Sequence, residues 1–182
     1  MIRVILFAIG SAVLAVFSRR SLPRLQSHGF YRFFAWEALL GLFLLVVPQW
    51  FQSPLAWYQL ISWIALAVSL GLAIEGFRLL RQIGQPGAAR VDGALLGLEK
   101  TSRLVTVGVY RFIRHPLYSS LLFLAWGMFF KSPSVLNGAL SLLATALLTV
   151  TARVEEAENV RFFGQAYADY MQRSRMFIPW VL

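Results

Sequence analysis

Five apolar runs constrain what this chain can fold into more than any other feature: Ile2 to Phe17, Phe33 to Val47, Leu55 to Ile74, Leu117 to Phe130 and Val135 to Val150. A hydrocarbon core about 30 Å thick takes roughly 20 helical residues at about 1.5 Å each. Most of the runs are near or below that length, so flanking aromatic residues and snorkelling arginines have to complete the spans. Trp36, Trp50, Trp57 and Trp180 lie near run ends or outside them, where interface anchors sit, while Trp63 and Trp126 are deeper. With 58% apolar and 14% charged side chains, an ordinary soluble domain is excluded. The expected fold is all-α: a polytopic membrane protein of five transmembrane helices followed by a cytoplasmic amphipathic C-terminal helix, in a single membrane domain over residues 1–182.

The charge pattern sets an orientation. Of 17 Lys and Arg residues, 15 fall in the link after run one, the link after run three and the tail, leaving Arg3 and Lys131 for the other side. The positive-inside rule then predicts an outside N-terminus and a cytoplasmic C-terminus. The same distribution removes a nucleic-acid partner from consideration, because the +9 formal charge marks a membrane face and not a binding stripe. Run one reads as an uncleaved anchor and not a signal peptide, since four Arg follow it and one precedes it. The short links fit a bacterial or archaeal inner membrane. Oligomeric state is not encoded in any of these features.

The outward links Pro48 to Pro54 and Lys131 to Pro133 are Pro-containing turns, which predicts antiparallel hairpins of runs two and three and of runs four and five. The segment Arg81 to Arg114, with Gly84, Pro86, Gly87, Gly93 and Gly97, is too long and Gly-rich for a plain connector. After run five, Val160, Phe163, Tyr167 and Tyr170 recur at helical spacing while Arg161, Gln165, Asp169 and Arg173 take other faces. Glu155 to Gln172 therefore reads as the amphipathic helix.

Two stretches concentrate polar chemistry. In LVTVGVYRFIRHPLYSS, Leu104 to Ser120, Pro116 suits the first turn of the fourth helix, which puts His115 at the helix mouth, Arg114 just outside it and Tyr118 in the first turn. Unpaired N–H groups at such a mouth favour an anionic group. In RVEEAENVRFFGQAYADY, Arg153 to Tyr170, Glu155 and Glu156 stand at the same membrane level. Taken singly, the first set reads as interfacial cations and belt tyrosines and the second as solvated carboxylates. Taken together they point to a site. The chain has no Cys and only two His, so thiolate chemistry and the usual metal cages are excluded and no metal is expected.

These stretches resemble the integral-membrane methyltransferases that include isoprenylcysteine carboxyl methyltransferases and phospholipid N-methyltransferases. The resemblance runs through LVTVGVYRFIRHPLY and then EE, FFG, Tyr167, Tyr170, Ile178 and Pro179, roughly the C-terminal half, with a cofactor-binding part over about residues 100–179. It implies binding of S-adenosyl-L-methionine by Ser102, Arg103, Leu104, Val105, Tyr110, His115, Pro116, Leu117, Tyr118 and an acid of the pair Glu155 and Glu156. It also implies methyl transfer to a lipid or lipid-like, for instance prenylated, acceptor at the cytoplasmic membrane face. Arg114 and His115 would suit the cofactor carboxylate, Glu155 its ammonium or ribose hydroxyls, and tyrosine faces its sulfonium. Such a displacement depends on alignment and water exclusion more than on acid–base groups.

The sequence departs from the prenylcysteine enzymes at Ser102, where they carry His, at Ser120, where they carry Gly, and at Thr151, where they carry a substrate-binding Arg. Arg153, two residues on, joins Arg114 and Glu75 as candidate catalytic residues. Glu37 and Glu75, within and just after apolar runs, are either paired with Arg32 and Arg78 or functional. His28 reads as an interfacial residue. Two other functions fit the pattern less well: an NADPH-dependent sterol-reductase-like enzyme, in which Gly and Glu usually follow HPxY where this chain has Ser119, Ser120 and Leu121, and a non-catalytic membrane partner of the same fold.

Overall fold

A computed structural model describes residues 1–85 and 101–179 of the chain. Among them the ordered elements are helical and no strand forms: α1 (Ile2–Ser18), α2 (His28–Val46), α3 (Trp57–Gln82), α4 (Pro116–Lys131), α5 (Val135–Phe163) and α6 (Gln165–Arg173). Short 3-10 turns cover Val47–Gln49 and Gly108–Arg111. Each apolar run nucleates one of the first five helices. Three stretches are long and apolar enough to cross a membrane: His28–Gln49, Trp57–Gln82 and Val135–Phe163. The helices α1 and α4 are apolar but shorter. Pro86, Gly87, Gly93, Gly97, Lys100 and Trp180, all weighed in the sequence, lie outside the described residues.

Consecutive helices from α1 to α5 pack together except α2 and α3. The closest pairs are α3 with α4 and α2 with α5; α4 also meets α5 and α2, and α1 lies on α2. The expected packed hairpin of runs two and three is therefore not found, since α2 and α3 turn to different partners, whereas α4 and α5 do meet across their short link. Small buried residues let the backbones approach: Ala35, Ala38, Ala125, Ala144 and Ala152 are all in the core. At Gly127 on α4 the α3 helix comes close, a Cβ there meeting Leu66 side-chain atoms at 3.0 Å. Serine hydroxyls bridge the same contacts, Ser62 Oγ donating to the Gly127 carbonyl (2.7 Å) and Ser69 Oγ to that of Ser120 (2.7 Å). In a hydrocarbon surrounding, such packing and interhelical hydrogen bonds replace the hydrophobic effect as the source of cohesion.

The amphipathic segment differs from its expected bounds. Charged residues from Arg153 onward continue α5 to Phe163 because nothing in them breaks a helix, and the chain turns only at Gly164, whose φ of 62° favours glycine. Glu155 and Glu156 thus belong to α5, and the shorter α6 carries Tyr167 and Tyr170 on its buried face. Run two also starts earlier than its apolar stretch, at His28.

Candidate active site

The residues that carry the resemblance converge where α4 begins, α5 ends and α6 folds back. Pro116 is the first residue of α4 and His115 its N-cap. The chain before it is held by the tail after α6: Arg114 N–H donates to the Arg175 carbonyl (2.7 Å), His115 N–H to that of Met176 (3.2 Å), and Arg175 N–H to that of Phe112 (2.9 Å). Ser119 Oγ donates to the Phe177 carbonyl (2.8 Å) and Tyr170 Oη to that of Tyr110 (2.6 Å). Residues 110–119 are therefore fixed by residues about 60 positions later in the chain.

Between these elements lies a cleft with about 650 Å3 of space free of protein atoms, its open mouth included. It is lined by Leu80 from α3, by Thr101, Leu104, Val105 and Tyr110, by Arg114 to Tyr118 at the start of α4, and by Glu155, Asn159, Phe163, Tyr167 and Tyr170 from α5 and α6. Tyr118 Oη donates to Glu155 Oε2 (2.5 Å), and the Tyr118 ring stacks on His115 with centroids 5.4 Å apart. Burial, with Glu155 close by, pushes the Tyr110 hydroxyl well above the usual phenol range, and burial raises Tyr167 and Tyr170 as well. All three present neutral O–H groups at any ordinary pH.

The two adjacent glutamates face different ways, as residues about 100° apart on a helix must. Glu155 lines the cleft; Glu156 does not. Glu156 Oε1 accepts from Arg114 Nε at 2.6 Å, with both side chains largely buried, and lies 3.4 Å from His115 Nε2, at ion-pair range but without hydrogen-bond geometry. The same guanidinium donates from Nη1 to the carbonyls of Met171 (3.1 Å) and Ser174. Arg114 touches the cleft, yet its Nε and Nη1 donors join α5, α6 and the tail.

Of the residues expected to hold the cofactor, Leu104, Val105, Tyr110, His115, Pro116, Leu117, Tyr118 and Glu155 line the cleft. Ser102, Arg103 and Glu156 stand outside it; Ser102 Oγ donates to the Gln85 carbonyl, and the N–H groups of Ser102 and Arg103 donate to that of Gly84. Arg153 is exposed on α5 away from the cleft. Glu75 pairs with Arg78 (2.9 Å) and lies behind Gly108. Glu37 accepts from Ser11 Oγ (2.6 Å), joining α1 to α2. Sequence reasoning did not single out Asn159, Phe163, Tyr167, Tyr170, Leu80 and Thr101 as site residues. The first four were within reach, since Asn159 and Phe163 fall four and eight residues after Glu155 on one helix face; Leu80 and Thr101 carry no local signal.

Comparison with known proteins adds a relationship to this geometry. The family model described as phospholipid methyltransferase matches residues 59–166. Methanethiol S-methyltransferase 1 of Bradyrhizobium diazoefficiens is 34% identical over 97 residues, 52% of this chain and 33% of that protein. Protein-S-isoprenylcysteine O-methyltransferase B of Arabidopsis thaliana is 34% identical over 88 residues, 46% of this chain and 43% of that protein. A probable protein-S-isoprenylcysteine O-methyltransferase of Oryza sativa is 30% identical over 126 residues, 65% of this chain and 63% of its relative. The chain thus spans about a third of the first relative's length and less than half of the second's. No solved structure matches. The family match covers more than half of the chain and encloses most of the cleft, and the chain belongs to the phospholipid methyltransferase family.

Proposed function

We propose that the chain is a membrane methyltransferase that binds S-adenosyl-L-methionine in the cleft and passes its methyl group to a lipid or lipid-like nucleophile. The observation that carries the reading is the convergence on one cleft of Leu104, Val105, Tyr110, His115 to Tyr118 and Glu155, which come from two sequence stretches about 40 residues apart, in a chain of this family. The donor set suits the cofactor. One inward carboxylate at Glu155 can accept from an ammonium or from ribose hydroxyls, the aromatic faces of Tyr110, Tyr118, Tyr167 and Phe163 suit an adenine ring and a cation, and Leu80, Val105 and Leu117 are apolar walls.

When bound, the cofactor supplies an electrophilic methyl group on a sulfonium. The chain's own residues bind, align and exclude water. Tyr118 holds Glu155 in place, the tail and α6 fix the chain on either side of His115 through Ser119 and Tyr110, and the apolar side chains keep bulk water from the nucleophile. Alignment of this kind is worth as much as about 7–11 kcal/mol in favourable cases. Arg114 is assigned to the clamp that closes the site and not to chemistry on the acceptor.

The membrane arrangement belongs to the same proposal: five spans, with α1 and α4 completing the three longer ones, the N-terminus outside, and the cleft at the cytoplasmic end where most basic residues gather. The whole forms one membrane domain, with the cofactor-binding part toward the C-terminus. A small thiol is the second acceptor reading, favoured by the similarity to methanethiol S-methyltransferases.

Purified protein in detergent, supplied with a methyl-labelled donor and either total membrane lipids or methanethiol, tests the reading. Label in an organic-extractable lipid supports the first acceptor, volatile label in dimethyl sulfide supports the second, and label in neither overturns the assignment of activity.

A further inference from the structure

Beyond Glu155, α5 continues to line the cleft with side chains that carry no charge. Asn159 is 8% exposed and lines the cleft one turn after Glu155, with Phe163 one turn further on. At about 1.5 Å per residue the three side chains step along the helix about 6 Å apart. The lining therefore passes from a carboxylate to a primary amide to an aromatic ring as α5 runs toward Gly164. Tyr167, 3% exposed in the first turn of α6, meets the last two. Its hydroxyl stands beside the Asn159 amide, and its ring plane lies 18° from that of Phe163 with centroids 6.4 Å apart.

The three other tyrosine hydroxyls of the cleft are committed to the framework: Tyr110 donates to the Gly76 carbonyl (3.4 Å), Tyr118 to Glu155 and Tyr170 to the Tyr110 carbonyl. A primary amide carries two donor hydrogens and an acceptor oxygen, and one neighbouring hydroxyl cannot use all of that capacity. Leaving the remainder unanswered in a nearly buried position is costly. A phosphate or an ammonium would call for an opposite charge here, and an alkyl chain for a hydrocarbon side chain. An amide beside two aromatic rings instead matches a flat neutral heterocycle, the amide for its hydrogen-bonding edge and the rings for its face.

We propose that Asn159 reads the adenine base of the donor: its carbonyl oxygen accepts from the 6-amino group and its amide N–H donates to a neighbouring ring nitrogen, with the base against Phe163 and Tyr167. Two-bond pairing of this kind is how an Asn side chain recognises adenine in nucleic acids. The sugar and amino-acid end then run back along α5 toward Glu155, which sets the direction in which the donor lies in the cleft. Asn159 is a specificity-determining residue for the base.

The inference rests on the donor-binding reading and names the part of the donor that this corner takes; a ligand–protein cycle on the whole protein in detergent separates the two. Calorimetry compares S-adenosylhomocysteine with its 6-deamino analogue, in which hydrogen replaces the amino group, on wild type and on Asn159→Leu. Wild type is expected to bind the analogue about 5- to 150-fold more weakly, the discrimination given by one two-bond amide–base pair. Asn159→Leu is expected to bind the two ligands within about twofold of each other, because the group that distinguishes them is gone. Should Asn159→Leu not yield folded protein, Asn159→Ala carries the same expectation. Equal binding of the two ligands by wild type, or a preference for the amino ligand that persists undiminished in the variant, overturns the base-reading role alone. So does an equal loss of affinity for both ligands on substitution, the mark of a purely structural amide. Absence of saturable binding by wild type overturns the donor assignment and this inference with it.

Discussion

Replacing Glu156 by Gln should loosen the tail without emptying the cleft. Glu156 Oε1 accepts from Arg114 Nε at 2.6 Å, with side-chain exposures of 8% and 10%, and Arg114 in turn donates to two carbonyls of α6 and the segment after it. Removing one charge of a buried pair costs about 3–5 kcal/mol. Gln retains the acceptor oxygen and the shape, which leaves the loss nearer the worth of a charge-assisted bond, about 2–3 kcal/mol. That is roughly a 30- to 150-fold rise in the population with the tail undocked, at about 1.4 kcal/mol for each factor of ten. Arg173 and Arg175 flank the docked segment and are trypsin sites, and cleavage there needs local opening. Limited trypsinolysis in detergent, followed by intact-mass measurement, should show loss of the C-terminal fragment accelerated in Glu156→Gln by a factor in that range. In Glu155→Gln the rate should match wild type. Equal rates in Glu156→Gln and wild type, or equal acceleration in both variants, would refute the division of labour between the two acids.

Three other outcomes follow from the same structure. Tyr118→Phe removes the hydroxyl that donates to Glu155 and should weaken S-adenosylhomocysteine binding about tenfold or more, read by calorimetry, with little change in thermal unfolding. Lys131, 2% exposed at the far end of α4, donates to Gln59 Oε1 (2.9 Å) and sits 3.1 Å from the Trp63 ring centroid. Lys131→Met should lower the unfolding midpoint, since a desolvated cation–π contact is worth about 2 kcal/mol, and leave S-adenosylhomocysteine affinity as in wild type. Tyr110, Tyr167 and Tyr170 have raised folded-state values, so the folded protein holds their protons more tightly than the unfolded chain. Their contribution is complete below the unfolded phenol value near 10 and falls as pH rises beyond it, which predicts an unfolding midpoint flat with respect to these groups from pH 7 to about 9 and declining above about 10.

The helical architecture was legible because apolar runs bounded by Pro and polar links have one economical solution in a bilayer. Which helices pair was not, because in hydrocarbon the partners are chosen by small residues and serine hydroxyls such as Ser62, Ser69 and Gly127, which look alike in every apolar run. Hydropathy also hid the start of α2: His28 read as interfacial, and the facing Glu158 of α5 explains its burial. Much of the cleft was legible as motif, Tyr110, His115 to Tyr118 and Glu155 among it. The separation of Glu155 from Glu156 was available in principle, since neighbours on a helix point about 100° apart, but required knowing that α5 runs on to Gly164. Arg114 at a helix mouth read as an anion site; three partners contributed by α5, α6 and the following segment give it a structural use that no local pattern encodes.

Calorimetric titration of the detergent-purified protein with S-adenosylhomocysteine tests the central claim most directly. The account predicts saturable binding near one ligand per chain, weakened at least about tenfold by Glu155→Gln, in which the cleft loses its inward charge. No saturable binding by wild type, or an affinity that Glu155→Gln leaves unchanged, would contradict it.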